Sequence, residues 1–403
     1  MLEYADVLSA QERVSETSRH TPLEHSYTYS DMTGADVNLK LENFQRTGAF
    51  KIRGATNRIA TLSATEKEAG VVTASAGNHA QGVALAATRV GVDATIVMPE
   101  NAPISKVKAT ESYGAQVVLD GRDYAEAADR AHEIEREEGR TYVHAFDDEY
   151  VMAGQGTIGL EILEDCPDVE TVVVPIGGGG LISGIATAIK AEHPDVRVIG
   201  VQAEGASSAA SSLEKGERIT LDAVDTMADG IATRSIGEGT FAVIEERVDE
   251  VVTVSDPEIA MAVVYLLERS KTLVEGAGAV PLAALLFEKF DVEAGETVVP
   301  VISGGNIDLN TLTTVVMRGL VETGRYLKIR TVLKDRPGAL EDLLAVLSAY
   351  RANIYAIQHD RTSRDIGMSD TEVEIDLETR GHEHVAELID AMEDRGYAVD
   401  VLV

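Results

Sequence analysis

A lysine set among glycines, Thr47-Gly48-Ala49-Phe50-Lys51-Ile52-Arg53-Gly54-Ala55, is the segment of this chain best suited to chemistry. An amine beside a bulky aromatic, with Gly48 and Gly54 letting backbone approach on both sides, is positioned rather than solvated. Three glycine-rich loops each follow an apolar run: Ser75-Ala76-Gly77-Asn78-His79-Ala80-Gln81-Gly82, Gly177-Gly178-Gly179-Gly180-Leu181, and Ser303-Gly304-Gly305-Asn306. Consecutive glycines between a strand and a helix free several N–H groups to face an anion such as a phosphate. The other two loops suit a ring and a carboxylate, and the lysine suits a Schiff base. Each has a plainer reading. Lys51 is then a surface charge, the glycine run a flexible turn, Ser303 a turn serine, and His79 a helix cap. A Walker loop is excluded, because no Gly-Lys-Ser/Thr follows the glycines.

Elements must hold these loops on one side of the molecule. Val71–Ala74, Ala94–Met98, Gln116–Leu119, Thr171–Val174, Arg197–Val201 and Val298–Ile302 read as buried strands. Ala-rich helical stretches such as 81–89 and 183–190 alternate with them. That alternation predicts parallel sheets covered on both faces, in an α/β architecture. Ligands gather at the carboxyl ends of such strands, where all three loops fall. A second unit is expected from Tyr326. Its order is Leu327–Leu333 (strand), a turn at Asp335-Arg336-Pro337-Gly338-Ala339-Leu340, a helix to Tyr350, strands 354–359 and 371–377, helix 382–395 and a last strand to Val403. That order, βαββαβ, fits a small split-βαβ domain.

Composition narrows the function classes. The 403 residues imply more than one domain, since domains usually run ~100–200 residues. With 35 basic against 68 acidic residues the net charge is −33, which repels nucleic acid. Acidic blocks such as Glu133–Glu138 read as solvated helix faces, and their spread resembles a halophile's surface. No apolar stretch is of membrane-spanning length, and the start, Met1–Asp6, lacks the order of a secretion signal, so a cytoplasmic protein is expected. The single cysteine, Cys166, excludes an intrachain disulfide and reads as a bystander; no Cys/His metal cluster is present in the sequence.

The lysine segment and the three loops together resemble the pyridoxal-phosphate enzymes of the tryptophan-synthase β-type fold (fold type II), and in detail the serine/threonine dehydratases, or threonine ammonia-lyases. Ala153-Gly154-Gln155-Gly156-Thr157-Ile158-Gly159 and Ala228-Asp229-Gly230-Ile231-Ala232 extend the resemblance, which runs from about Lys40 to Asn306. It implies two parallel-sheet subdomains within residues 1–320, the smaller roughly 50–155. Lys51 would carry the pyridoxal 5'-phosphate Schiff base and serve as acid and base at the substrate's α-carbon. Phe50 would pack on the ring, and Gly177, Gly178, Gly179, Gly180 and Leu181 would clasp the phosphate. Asn78 would meet the ring hydroxyl, Gly230 would lie near the ring, and Ser303 would face the ring nitrogen. Ser75, Ala76, Gly77, Asn78 and His79 would receive the substrate carboxylate.

Departures from the pattern carry information. Ala49 replaces the family's usual serine. Ala76 stands where related serine racemases have the serine that donates a proton on the second face, so elimination is expected rather than racemisation. Glu204 is retained from a cation site of some relatives, but Ala210 stands at the second acid, so no metal is assigned. Ile52, where threonine synthases carry Asp, counts against that activity. L-Threonine would give 2-oxobutanoate and ammonia, and L-serine would give pyruvate; a serine or 3-hydroxyaspartate dehydratase, or a non-catalytic amino-acid sensor, remain as alternatives. The segment 326–403 resembles an ACT domain, implying a homo-oligomer (dimer or tetramer) and an isoleucine or valine effector near Asp335, Gly338, Ala339, Leu340, Asn353 and Ile354.

Overall fold

Residues 1–362 and 367–403 are described by the structure, a computed structural model. They divide into two compact units, Met1–Leu309 and Asn310–Val403. Ten strands belong to the first: β1 (Leu23–His25), β2 (Asp36–Leu41), β3 (Val71–Ala74), β4 (Ala94–Met98), β5 (Gln116–Leu119), β6 (Thr141–Tyr142), β7 (Thr171–Pro175), β8 (Arg197–Ala203), β9 (Glu250–Val254) and β10 (Thr297–Ile302).

They form two sheets. The larger has the order β1-β2-β10-β7-β8-β9 and the smaller β5-β4-β3-β6. Every pairing is parallel except β1 with β2. The apolar runs explain the layering. In the small sheet Val71, Ile96 and Met98 pack with Ile52, Val83 and Ala87 on one face, while Val72, Ala74 and Val97 pack with Ala127, Ala131 and Ile134 on the other. Side chains alternate across a strand, so a continuous apolar run serves helices on both faces. In the large sheet Val172 and Val174 meet Ile182, Ile185 and Ile189 of the helix Gly180–Glu192. Each of those buried isoleucines contributes roughly 1.5–3 kcal/mol of transfer free energy.

One strand departs from expectation. Gln116–Leu119 is a strand but not a buried one, because it is the small sheet's edge and its end residues are exposed. The helices begin earlier than their Ala-rich stretches, at Asn78 and Gly180, directly behind the glycine-rich loops. Cys166 caps the helix Glu149–Asp165; burial pushes its thiol up to about 12, with Asp168 adding to the shift. No helix among the described residues is long and apolar enough to cross a membrane.

The second unit is an antiparallel sheet, β11 (Tyr326–Lys334), β12 (Asn353–Asp360), β13 (Asp370–Glu378) and β14 (Val399–Val401), in the order β12-β13-β11-β14. Leu327, Ile329, Val373 and Ile375 pack with Leu343, Leu347 and Leu388 from the helices Ala339–Ala349 and His382–Glu393.

Candidate active site

Lys51 does not directly follow a strand. β2 ends at Leu41, a 3₁₀ turn spans Glu42–Phe44, and Lys51 stands at the start of the helix Ile52–Ala60. Its segment is stitched to the end of β10. Phe50 N–H donates to the Ser303 carbonyl at 3.2 Å, Gly305 N–H to the Gly48 carbonyl at 2.8 Å, and Ala49 bridges Gly304. Lys51 Nζ donates to the Ala145 carbonyl at 2.9 Å and lies 5.1 Å from the Phe50 ring centroid. Burial pushes its amine down to about 8, the Glu275 carboxylate opposing the shift. An amine with that value has about a tenth of its population unprotonated at pH 7, far more than a solvated lysine, and the free amine is the form that captures a carbonyl.

The glycine loop lies against residues 146, 231 and 240. A Cβ on Gly178 would overlap the Phe146 ring, and one on Gly180 would sit 2.8 Å from the Phe146 carbonyl oxygen. Gly179 has φ +96°, and its Cβ would meet Thr240 at 2.8 Å. Thr240 Oγ1 donates to the Gly178 carbonyl at 2.7 Å. Small residues are thus required by close approach, and the helix Gly180–Glu192 presents its first-turn N–H groups beside the loop. Gly177 would carry its Cβ 3.0 Å from Ile231 Cα, which brings the Gly230 segment to the same place.

Ser75, Ala76 and Gly77 form the connection between β3 and the helix Asn78–Arg89, and Gly77 N–H donates to Ser75 Oγ at 3.2 Å. Asn78 is clamped at both ends of its amide. Its Nδ2 donates to Glu275 at 2.6 Å, and its Oδ1 accepts from Asn306 Nδ2 at 2.9 Å, while Asn306 also donates to the Thr47 carbonyl at 2.6 Å. His79 is buried, with Nε2 2.9 Å from the Val143 carbonyl, so that nitrogen carries the proton and Nδ1 is left without a partner. Burial pushes His79 down to about 3, with Lys51 adding to the shift.

The structure therefore brings together Phe50, Lys51, Asn78, Ser303 and the Ser75–His79 loop, and packs the Gly177–Leu181 loop on Phe146, next in sequence to the carbonyl that Lys51 meets. Glu275, Ala145, Phe146, Asp147 and Thr240 were not anticipated. Glu275 lies in a run of small residues, Glu275-Gly276-Ala277-Gly278-Ala279, where a lone carboxylate looks like an ordinary helix cap. Burial raises its carboxyl, the Asn78 hydrogen bond opposing the shift. The small run lets other loops close on it: a Cβ on Gly230 would lie 2.9 Å from Ala277 and 3.5 Å from Glu275 Oε1. Glu204 is exposed, and among the described residues no acidic or Cys/His cluster fit for a metal is found.

The six residues expected around an effector do not converge within one chain. Asn353 pairs with Glu378, which pairs with Tyr326, whereas Asp335 follows Lys334, which pairs with Asp370 at the other end. Eight residue steps along β11 separate the ends by roughly 27 Å. Asn353 and Ile354 instead line an open hollow of ≈ 400 Å³ with Leu344, Ser348 and Arg351. Gly338 (φ +89°) starts the helix Ala339–Ala349, and Asp335 pairs with Arg361 at 3.0 Å.

Residues 14–304 match the family described as pyridoxal-phosphate dependent enzymes. The chain is 52% identical to an L-threonine ammonia-lyase of Geobacter sulfurreducens over 402 residues, covering 100% of both. Among solved structures it is similar to the processed form of threonine deaminase isoform 2 from Solanum lycopersicum (TM-score 0.75, 41% identity, 78% of this chain and 92% of that one). It is also similar to maize serine racemase (TM-score 0.75, 38% identity, 79% and 98%). With an aromatic-flanked amine, a glycine loop at a helix start and this match, the chain belongs to the pyridoxal-phosphate dependent enzymes.

Proposed function

We propose that the protein is a threonine ammonia-lyase, converting L-threonine to 2-oxobutanoate and ammonia and acting on L-serine in the same way. The observation that carries this reading is Lys51: a half-buried amine held by a backbone carbonyl, whose neighbour Phe146 packs on the glycine loop. Full-length similarity to an enzyme named for that activity supports it.

The residues fit the cofactor. Gly177–Leu181 offers an anion the N–H groups of a loop and a helix start, the four glycines contributing no side chain of their own. Lys51 would hold the carbonyl carbon, Phe50 one face of the ring, Asn78 the ring hydroxyl and Ser303 the ring nitrogen. Pyridoxal phosphate, when bound, supplies an electron sink for the pair left at the substrate's α-carbon. Ser75 and the backbone through Asn78 receive the substrate carboxylate, which orients the α-hydrogen. Lys51 Nζ takes that proton. A hydroxyl at position 303 accepts or donates without holding the ring nitrogen protonated, and this favours loss of the β-hydroxyl over transamination. Ala76 offers no proton on the opposite face, which separates this site from a racemase.

The C-terminal unit serves as an ACT-like regulatory module; its βαββαβ order and the Gly338 helix start support this reading. An effector site built from both Asp335–Leu340 and Asn353–Ile354 requires two copies of the chain, since one chain holds these segments at opposite ends of a sheet. Isoleucine or valine is the effector, the cellular role is in isoleucine synthesis, and the setting is a cytoplasm rich in salt.

Formation of 2-oxo acid from threonine and serine, by wild type and Lys51→Ala, tests the activity. Lys51→Ala activity within about tenfold of wild type removes Lys51 from the mechanism. Calorimetry of the full protein with isoleucine, valine, threonine and serine tests the module, and absence of any heat from the first two leaves it structural.

A further inference from the structure

The segment from Val143 to Asp148 is tethered at both ends. Val143 N–H donates to the Val72 carbonyl at 2.9 Å, continuing the alignment of β6 with β3, and its own carbonyl receives His79. Asp148 caps the helix Glu149–Asp165, accepting from Val151 N–H at 3.0 Å. Between these anchors one side chain shapes the path. His144 Nδ1 accepts from Phe146 N–H at 3.2 Å and from Asp147 N–H at 2.8 Å. A ring nitrogen that accepts two N–H groups carries no proton, so the neutral ring keeps its proton on Nε2. Burial and the charges of Lys51 and His132 disfavour a second proton; Asp147 and Asp148 oppose them.

Three consequences leave this short turn. The Ala145 carbonyl meets Lys51 Nζ at 2.9 Å. Phe146, edge-on to His144 with ring centroids 4.6 Å apart, packs against Gly178 and Gly180. The Asp147 carboxylate accepts from Glu238, Gly239 and Thr240 N–H groups at 3.0, 3.0 and 3.2 Å, capping the helix Glu238–Arg247. Thr240 in turn holds the Gly178 carbonyl. The reactive amine and the phosphate loop are therefore both registered on residues 145–147.

We propose that His144 is a positioning residue, whose unprotonated Nδ1 folds residues 144–147 so that the Lys51 amine and the glycine loop keep a fixed relation. This rests on the reading of Lys51 as the reacting amine. It is separate from the choice of substrate.

Asparagine places its Oδ1 where histidine places Nδ1; glutamine places its acceptor one bond further out. The test compares His144→Asn with His144→Gln. The first readout is kcat and KM for L-threonine with holoenzyme. The second is the rate at which apo-enzyme captures pyridoxal phosphate, followed by absorbance across pH. For H144Q we expect kcat lower by roughly 10- to 100-fold with KM changed by less than about threefold, because a misplaced group slows reaction more than binding. Its capture midpoint should move to lower pH, since an ammonium that loses its carbonyl acceptor is a stronger acid. H144N should keep both kcat and midpoint near wild type. Equal behaviour of the two variants, whether both intact or both damaged, overturns the proposal. If H144Q fails to fold, H144N decides alone: a wild-type midpoint sustains the proposal and a displaced one overturns it. Should the wild type not turn over threonine, the substrate reading fails while the capture assay still judges His144.

Discussion

Asn78 donates a 2.6 Å hydrogen bond to Glu275, joining the loop after β3 to the start of the helix Gly276–Leu286. Burial raises the Glu275 carboxyl pKa, so folding disfavours its ionised form relative to the unfolded chain. By linkage, the stability this group contributes is present below its unfolded value and lost as pH rises through the higher folded value. Glu275→Gln keeps an acceptor for Asn78 and removes the charge. The apo-variant should therefore melt above wild type at pH 8, the difference shrinking toward pH 4. Glu275→Ala should lower cofactor affinity by about tenfold, since Asn78 loses the acceptor that orients its amide. Melting curves and equilibrium dialysis read both, and a melting difference that does not depend on pH would sink the electrostatic account.

The Lys51 amine, pushed to about 8 by burial, should govern cofactor capture. Capture by apo-enzyme should accelerate with pH and level off above about 8, as the free amine becomes the dominant form. A rise continuing toward pH 10 would show an ordinary solvated lysine.

Arg53 is fully buried, two residues beyond Lys51, between Glu42 at 2.7 Å and Glu161 at 2.6 Å. Lys40, also buried, meets Glu161 at 2.8 Å. Arg53→Met leaves two carboxylates short of their partner, which should cost about 3–5 kcal/mol in denaturant unfolding of the apo-protein. A loss under about 1 kcal/mol would mean the carboxylates relax to water or protonate cheaply.

Wild-type enzyme should form no D-serine from L-serine, because Ala76 lacks a donor. Ala76→Ser should permit some, and chiral chromatography measures it. Ready racemisation by the wild type defeats the argument.

Net charge of −33 should make the fold salt-dependent. Near 1 M KCl the screening length falls to ~3 Å, weakening repulsion among surface carboxylates. Melting temperature and activity should climb with KCl; a melting point highest in dilute buffer identifies a surface adapted to low salt.

Much of the fold was legible because parallel strands covered on both faces are nearly continuous apolar runs, as the centres of β3, β4, β7, β8 and β10 are. Strands with mixed burial, such as β9, or very short ones, such as β1 and β6, left no such trace. The C-terminal order of elements was readable from its alternation, but the effector residues were grouped by motif. Strand register, a pairing between distant segments, then set them at opposite ends.

Local sequence showed an amine among glycines and glycine-rich loops between strands and helices, which are properties of residue type and immediate neighbours; the roles proposed for Ser303 and Ala76 come from the family resemblance. Tertiary structure alone decided what holds them. Glu275 is an unremarkable cap until burial beside Asn78 changes its charge preference, and His144 is one histidine among nine until its Nδ1 is seen to shape the turn at Lys51. The bonds His144 makes to residues 146 and 147 are local, but their placement at Lys51, like the meeting of Asn78 with Glu275, joins segments 94 and 197 residues apart, which no local pattern encodes.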